Sequence, residues 1–441
     1  MSWNFVNNIL IIIVLQIIDV SSKTCMIDEN LRAKNLATKT PYEYNNVGKF
    51  PNFEIPQECE PIKFWLVSRH GTRYPSKSGI NAINTILPTI LKSDKSKLCA
   101  KDIEILQKWQ PSNLKIEDAK NLHAEGEKEL LLLAERFQEK FPKILSSDYH
   151  PEDFYFRATN TERAQKSQFY FATGLFGRKE AYHVNFTDPI EPFDPVIRFY
   201  KGCQKWQREV KHNISTYDNQ KNFEESQFFS DNFNSLYNLL GVDNDLKLLD
   251  AIYVGCTFGQ AWNPKKFAPW CGILTDYQRK ILEFRENLEY FYVDSFGHSI
   301  NHDQACVLLQ DLIKNLDNPS GPKGTFYFTH SGTMLKFLAY LGLDKPEIFP
   351  TFDNFGQSNW TTSKIDTFAN NIAFVQLSCQ KIGMFVNEKL TPIPGCDKDL
   401  WCPYNLFKSI FEQKEPCDFT KICQNEFEND WIVTSSEDDR F

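Results

Sequence analysis

The chain has 441 residues, of which 41% are hydrophobic and 24% are charged, so a globular protein with two or three lobes is expected. Its 37 phenylalanines and 17 tyrosines can fill a large core. A formal net charge of −8 argues against a nucleic-acid-binding protein, which would carry a basic face, but it leaves room for a local basic pocket that binds an anion.

The N-terminus predicts a signal peptide at residues 1–22. Residues 9–18 form an apolar run that is too short to span a bilayer comfortably, and Val20 and Ser22 are small enough for cleavage after Ser22. A membrane anchor or a buried strand is the alternative interpretation of this run. We therefore expect a secreted protein without membrane attachment once the signal is removed.

All 12 cysteines follow this cleavage site, and an even number in an exported chain predicts disulfides. The spacing suggests three local pairs, Cys256–Cys271, Cys396–Cys402 and Cys417–Cys423, and we add a long-range pair, Cys59–Cys379. Spacing alone does not determine connectivity. Three sequons, at Asn185, Asn213 and Asn359, predict N-glycosylation and agree with export.

The predicted elements mix strands with long helices. In chain order they are a buried strand at 62–68, helices at 78–91 and 124–144, a strand at 154–158, a helix at 161–175, a mostly helical stretch at 199–292, a helix at 301–315, a strand at 325–330, a helix at 334–342, and late strands at 372–379 and 381–389.

This order predicts an α/β fold, with a central mixed sheet flanked by helices and an inserted, mostly helical cap domain. The predicted divisions are the signal peptide at 1–22, core segments at 23–80, 151–200 and 301–441 (the last with a C-terminal tail), and cap segments at 81–150 and 201–300.

The stretch "FWLVSRHGTRYP" places Arg69, His70 and Arg73 directly after the first strand. Arginine presents planar donors that match phosphate oxygens, and a neutral imidazole can attack phosphorus. Gly71 allows the backbone to approach a ligand closely, at the kind of sheet edge where α/β proteins bind ligands. A solvated turn with surface salt bridges would explain one arginine, but not two around a histidine.

This stretch resembles the Arg-His-Gly-x-Arg signature of the histidine phosphatase superfamily. The longer "RHGTRYP" is similar to the branch of histidine acid phosphatases that contains the multiple inositol polyphosphate phosphatases (MINPP-type phytases). "FRATNTERAQKSQFYFATGLFG", "AWNPKKFAPWC" and "FANNIAFVQLSC" resemble other parts of that branch, and the resemblance runs from about Cys59 to Cys402.

The resemblance implies a role for each matching residue. His70 would be the phosphorylated nucleophile, and His330, at the end of "TFYFTH", the second histidine of the site. Arg69, Arg73 and Arg157 would bind the substrate phosphate. The chemistry uses imidazole and guanidinium groups, so neither a metal nor a cofactor is expected.

The family's general acid is missing from its usual place. There the second histidine opens a His-Ala-Glu or His-Asp motif, whose carboxylic acid protonates the leaving alkoxide, whereas here Ser331 and Gly332 follow His330. The same letters occur at His123 and His302, but neither follows a strand, and we interpret both as residues at helix starts. A missing general acid typically costs about a hundred- to ten-thousand-fold in rate.

Three outcomes remain open for this site. Another carboxylate enters the pocket from the cap, or water or Ser331 relays the proton and the enzyme is slow, or the protein binds phosphorylated ligands without efficient turnover. The leading hypothesis is a secreted phosphomonoesterase that hydrolyses inositol polyphosphates such as phytate through a phosphohistidine. The alternatives are a general secreted acid phosphatase of the same fold and a catalytically impaired homologue that binds phosphorylated ligands.

Overall fold

The structure is a computed structural model that describes residues 25–30, 32–45, 53–109, 114–396, 399–412 and 417–425. The predicted signal peptide, residues 1–22, lies outside the described residues, and so does the end of the predicted C-terminal tail, residues 426–441.

Within the described residues, seven strands form one mixed sheet. They are β1 (Pro61–Arg69), β2 (Phe154–Ala158), β3 (Gly324–Thr329), β4 (Asn371–Leu377), β5 (Lys381–Val386), β6 (Lys389–Thr391) and β7 (Trp401–Pro403). The spatial order is β2-β3-β1-β4-β5-β6, and β7 also pairs with β5. Strands β2 and β1 run parallel to β3, whereas β4 runs antiparallel to β1. The expected mixed sheet is confirmed.

Strand β1 lies inside the sheet and is buried on both faces, which explains its continuous apolar run. Trp65 and Val67 face one core, and Phe64 and Leu66 face the other. All four side chains are at most 1% exposed. Burial on both faces holds the end of this strand, and therefore the Arg-His loop that follows it, in a fixed position.

Helices cover both faces of the sheet. Those of eight or more described residues are α1 (Ala100–Lys108), α2 (Ala124–Lys140), α3 (Glu162–Ala181), α4 (Gln227–Leu240), α5 (Leu246–Trp262), α6 (Asp276–Asp294), α7 (Cys306–Asp317), α8 (Ser331–Leu341) and α9 (Tyr404–Glu412). Shorter α-helices span Lys77–Asn81, Leu87–Ile90, Gln204–Trp206, Asp218–Glu224, Pro269–Gly272, Ser299–Asp303, Thr362–Ile365 and Phe419–Cys423. Of the helices in the described part of the chain, none is long and apolar enough to cross a membrane.

A third apolar core consists mainly of helical residues from 80–106 and 223–288. The predicted boundaries between core and cap stay a prediction, and two segments that were assigned to the cap pack on the sheet. Helix α2, assigned to the cap, packs on the sheet through Leu130, Leu133 and Phe137, because this stripe faces Phe64. Cys203, Trp206 and Val210, also assigned to the cap, pack on the opposite face of the sheet.

The structure joins the 12 cysteines in six disulfides, and three of the four expected pairs are among them: Cys59–Cys379, Cys256–Cys271 and Cys396–Cys402. The remaining pairs are Cys25–Cys99, Cys203–Cys423 and Cys306–Cys417. The expected pair Cys417–Cys423 is therefore wrong. The C-terminal segment packs against the N-terminal ends of two helices. Cys417 therefore bonds to Cys306, the first residue of α7, and Cys423 bonds to Cys203, the residue before the helix Gln204–Trp206.

The three sequon asparagines, Asn185, Asn213 and Asn359, are exposed. Exposure leaves each of them accessible to a glycosyltransferase, and their glycosylation stays a prediction.

Candidate active site

The parallel pairing of β1 and β3 brings the two histidines together. Arg69 pairs with Thr329, and these are the last residues of β1 and β3. The residues that follow them, His70 and His330, therefore lie side by side. The backbone N–H of His70 donates to the carbonyl of Thr329 at 2.9 Å, and the two imidazole ring centres are 5.6 Å apart. Sheet pairing thus joins two residues that are 260 positions apart in the sequence.

Helix α2 holds the loop after β1 by close backbone contact. A side chain at Gly71 would place its Cβ 2.5 Å from the carbonyl oxygen of Gly126, so only glycine fits. One residue further on, the backbone N–H of Thr72 donates to Glu129 Oε2 at 2.7 Å, and the Thr72 hydroxyl donates to Glu129 Oε1 at 3.0 Å. Glu129 also accepts the backbone N–H of Tyr42. These bonds fix the backbone that carries Arg73.

A small cavity of about 50 Å³ opens between these elements. Its lining consists of Arg69, His70, Arg73, Lys120, Arg163, Tyr290, His330, Ser331 and Gly332. Four of these side chains are cations, and among the described residues that line the cavity none is a carboxylate. Such a cavity suits a small anion with several oxygens, such as phosphate.

Two of the expected phosphate ligands, Arg69 and Arg73, line this cavity. Arg69 is nearly fully buried, and its Nη1 donates to the carbonyl oxygens of Thr38 at 2.8 Å and Asp366 at 2.6 Å. Its guanidinium also lies over the ring of Phe368. Arg73 is half-buried and donates to the carbonyl of Tyr74. These contacts orient both guanidinium groups before any ligand binds.

The environment keeps His70 neutral. Burial, followed by the charges of Arg163, Arg69 and Arg73, holds the pKa of His70 well below its usual value. Its Nδ1 lies 2.9 Å from the carbonyl oxygen of Gly71, which can only accept, so Nδ1 carries the hydrogen. The lone pair is then on Nε2, and His70 is in the form that a nucleophile needs.

His330 is neutral for similar reasons. Burial lowers its pKa most, followed by the charges of Arg198 and Arg163. Its Nε2 lies 2.8 Å from the hydroxyl of Thr159, and Arg163 Nη2 approaches its Nδ1 at 3.5 Å. Because a guanidinium only donates, this arrangement puts the hydrogen on Nε2, where it bonds to Thr159.

Arg157, assigned to the phosphate by resemblance, is not in the lining of this cavity. Its Nε and Nη2 donate to the two carboxylate oxygens of Asp194, at 2.5 and 2.7 Å, and Asp194 is 1% exposed. The reason is strand register, because Arg157 lies within β2 opposite Tyr327 and its guanidinium lies over that ring. The structure therefore places Arg157 in a buried ion pair and not in the lining of the cavity.

Arg163 lines the cavity instead, and the sequence analysis missed it. Thr161 caps helix α3, its side chain accepting from the backbone N–H of Ala164, so Arg163 lies in the first turn of the helix. Ser331 lies in the corresponding first turn of α8, immediately after β3. A pattern in the sequence could have indicated Arg163. It lies in the first turn of a helix that follows a strand and a short loop, and this places it at the same sheet edge as His70.

The other occurrences of His-Ala-Glu and His-Asp, at His123 and His302, lie outside the cavity. His123 caps α2, its Nδ1 accepting from the backbone N–H of Glu125, and His302 lies in the helix Ser299–Asp303. Neither is in the cavity lining. Within the described ranges, one group of potential metal ligands occurs, Cys25, Cys99 and Asp102, and its two cysteines are joined in a disulfide.

Glu129 makes the stability of the loop depend on pH. Burial raises its pKa to about 7, although the hydrogen bonds from Tyr42 and Thr72 act in the opposite direction. Because the folded state holds this proton more tightly than the unfolded state, the contribution of Glu129 to stability is fully present below its ordinary pKa of about 4.3. It is lost as the pH rises through about 7.

We therefore expect the wild-type protein to lose stability relative to Glu129→Gln between about pH 4 and pH 8, by up to ~3 kcal/mol, the equivalent of the pKa difference. Urea unfolding of both proteins across this range measures the difference. A difference in the free energy of unfolding that stays constant with pH would contradict this role of Glu129.

With this geometry established, comparison with known proteins places the chain among phosphatases. It is 29% identical over 399 residues to multiple inositol polyphosphate phosphatase 1 of Drosophila melanogaster, covering 84% of this chain and 83% of that protein. The described sheet and helices resemble the crystal structure of a phytase from D. castellii, with a TM-score of 0.71, 16% identity and coverage of 88% of this chain and 87% of that one.

A multiple inositol polyphosphate phosphatase from Bifidobacterium longum, solved in complex with inositol hexasulfate, has a similar fold. It gives a TM-score of 0.66 at 15% identity and covers 86% of this chain and 97% of that one. At these identities the two structures support the fold alone. Residues 63–389 match the family model of the histidine phosphatase superfamily (branch 2), and the chain therefore belongs to that superfamily.

Proposed function

We propose that this protein is a secreted phosphomonoesterase that hydrolyses inositol polyphosphates through a phosphohistidine at His70. The observation that carries the proposal is the neutral His70 beside His330 in a cavity lined by four cations. The similarity to the fly multiple inositol polyphosphate phosphatase 1 supports the substrate class.

In this mechanism Arg69, Arg73 and Arg163 bind the phosphoryl oxygens and stabilise the charge that develops on them. Arg163 takes the third position that the resemblance gave to Arg157. Nε2 of His70 attacks phosphorus, an N–P bond forms, and the bond to the alcohol oxygen breaks. Water then attacks the phosphohistidine, which releases inorganic phosphate and restores His70.

Positive charge in and around the cavity favours a substrate with several phosphates. Lys120 lines the cavity, and the charges of Arg198 and Lys201 reach its second histidine, since both lower the pKa of His330. A substrate with a single phosphate uses only the central guanidinium groups. We infer that a substrate with several phosphates is attracted to these outer cations as well, which favours phytate.

We also propose that the helical unit acts as a cap on this site. Helix α5, which belongs to the third apolar core, contacts the Arg73 loop. Its Trp262 Nε1 donates to the carbonyl oxygen of Arg73 at 3.2 Å, and the guanidinium of Arg73 lies over the ring of Phe258. These contacts couple the position of one phosphate-binding arginine to the packing of the cap.

The disulfides support our proposal that the protein is secreted. All 12 cysteines are in disulfides, which persist in oxidising compartments and are rare in the cytosol. The exposure of the three sequon asparagines is compatible with glycosylation in the same pathway.

Release of inorganic phosphate from phytate and from an aryl phosphate, in buffer containing EDTA, tests the function. We expect hydrolysis of both substrates, with phytate favoured by a lower KM because of the outer cations. EDTA is expected to change neither rate, because the reacting groups are imidazole and guanidinium. Hydrolysis of the aryl phosphate alone would indicate the general acid phosphatase, and binding of phytate without hydrolysis of either substrate would indicate the impaired homologue.

A further inference from the structure

We infer that Asp366 supplies the proton for the leaving group, through the hydroxyl of Ser331. This inference rests on the proposed function and names the acid for the same site. The residue that follows the second histidine is thus a relay, and the carboxyl group behind it comes from the loop before β4.

The geometry of Ser331 carries the inference. Ser331 directly follows His330 and lines the same cavity as His70. Its hydroxyl donates a hydrogen bond to Oδ2 of Asp366. Asp366 is fully buried and is not in the cavity lining, so its carboxyl group reaches the substrate through Ser331.

The position of Asp366 is coupled to that of Arg69, which lines the cavity. Arg69 Nη1 bonds to the main-chain oxygen of Asp366 at 2.6 Å and lies 3.5 Å from its Oδ2. The backbone N–H of Asp366 donates to the carbonyl of Thr362 at 2.9 Å. The loop is thus held by main-chain bonds, which do not depend on the carboxyl group and which persist when its charge is removed.

Two other buried carboxylates near the site are engaged elsewhere. Asp294 lies behind Gly332, its Oδ1 being 3.3 Å from the place where a Cβ at that position would lie, but it forms an ion pair with the buried Lys336. Glu129 bonds to the backbone of Thr72. Asp366 differs from both, because its bond is to a hydroxyl that faces the cavity.

The relay balances in both half-reactions. As Nε2 of His70 bonds to phosphorus, the electron pair of the breaking P–O bond goes to the alcohol oxygen. The step starts with Asp366 protonated and donating to Ser331, the reverse of the bond direction in the structure. The alcohol oxygen takes the Ser331 proton, Ser331 takes the proton of Asp366, and Asp366 becomes a carboxylate near Arg69. In the second half, water attacks phosphorus and the N–P pair returns to Nε2. The proton of the water passes through Ser331 back to Asp366.

The test compares Asp366→Asn and Ser331→Ala with wild type, on phytate and on an aryl phosphate. The leaving oxygen of an aryl phosphate needs little protonation. We therefore expect each variant to lower kcat for phytate by about a hundredfold with little change in KM, and kcat for the aryl phosphate by less than about fivefold. The double variant is expected to match the single ones, since both act in one step.

Two further variants make the outcome decisive. Ser331→Thr, which keeps a hydroxyl, is expected to recover most of the phytate turnover lost in Ser331→Ala. Asp353→Asn, at an exposed carboxylate in the loop before the helix Thr362–Ile365, is the matched control and is expected to leave both rates unchanged.

Equal losses on both substrates in folded Ser331→Ala would overturn the relay, even if Asp366→Asn failed to fold. The proposed function would stand in that case, because wild type would still hydrolyse phytate. A wild-type protein that hydrolyses neither substrate would overturn the proposed function, and the relay with it.

Discussion

His70→Ala is expected to abolish phosphate release from phytate and from aryl phosphates, by at least about a thousandfold, while the protein stays folded. The side chain lies at the cavity, at the end of β1, and the apolar residues that hold the strand precede it. If the wild-type protein is denatured rapidly and without acid while it turns over a labelled substrate, we expect labelled phosphate to remain on the protein as phosphohistidine. We expect no labelled phosphate on His70→Ala.

The matched control is His183→Ala, at an exposed histidine, for which both rates and the trapped phosphate are expected to equal those of wild type. Circular dichroism and thermal unfolding report whether each variant is folded. Near-normal phosphate release by a folded His70→Ala protein would rule out the phosphohistidine mechanism.

Arg163→Ala is expected to lose activity and Arg157→Ala is expected to lose stability. Arg163 lines the cavity, so its loss removes a donor to the transferring phosphoryl group and should lower kcat/KM by about a hundred- to a thousandfold, with the melting temperature nearly unchanged. Arg157→Ala leaves the buried carboxylate of Asp194 unpaired and should cost about 3 to 5 kcal/mol of stability, while the folded fraction keeps near-normal kcat/KM.

Steady-state kinetics on phytate and urea unfolding of both variants separate these effects. Arg163→Lys is expected to keep part of the activity, because it retains the charge without the planar pair of donors. The reverse pattern, in which Arg157→Ala is stable and inactive and Arg163→Ala is active, would restore the assignment of Arg157 to the phosphate.

The sequence by itself determined the local chemistry and the fold class. A continuous apolar run predicts a strand buried on both faces, and a strand that ends in Arg-His-Gly places its charges at a sheet edge. The sequence therefore predicts that Arg69, His70 and Arg73 lie together at that edge, and all three line the cavity. The resemblance, which spans most of the chain, added His330. The fold class and the strand–loop motif depend on short stretches and on the burial pattern of single elements.

The tertiary structure alone decided which distant groups meet. Arg157 and Arg163 lie six residues apart in one motif, and only the register of β2 and the direction of α3 show that the first pairs with Asp194 and the second faces the cavity. The partner of Cys423 and the packing of α2 on the sheet likewise depend on which surfaces come together. The bond between Ser331 and Asp366 joins residues 35 positions apart, because a helix start and a loop converge at one sheet edge. Such contacts arise from packing between elements, and no local pattern of residues encodes them.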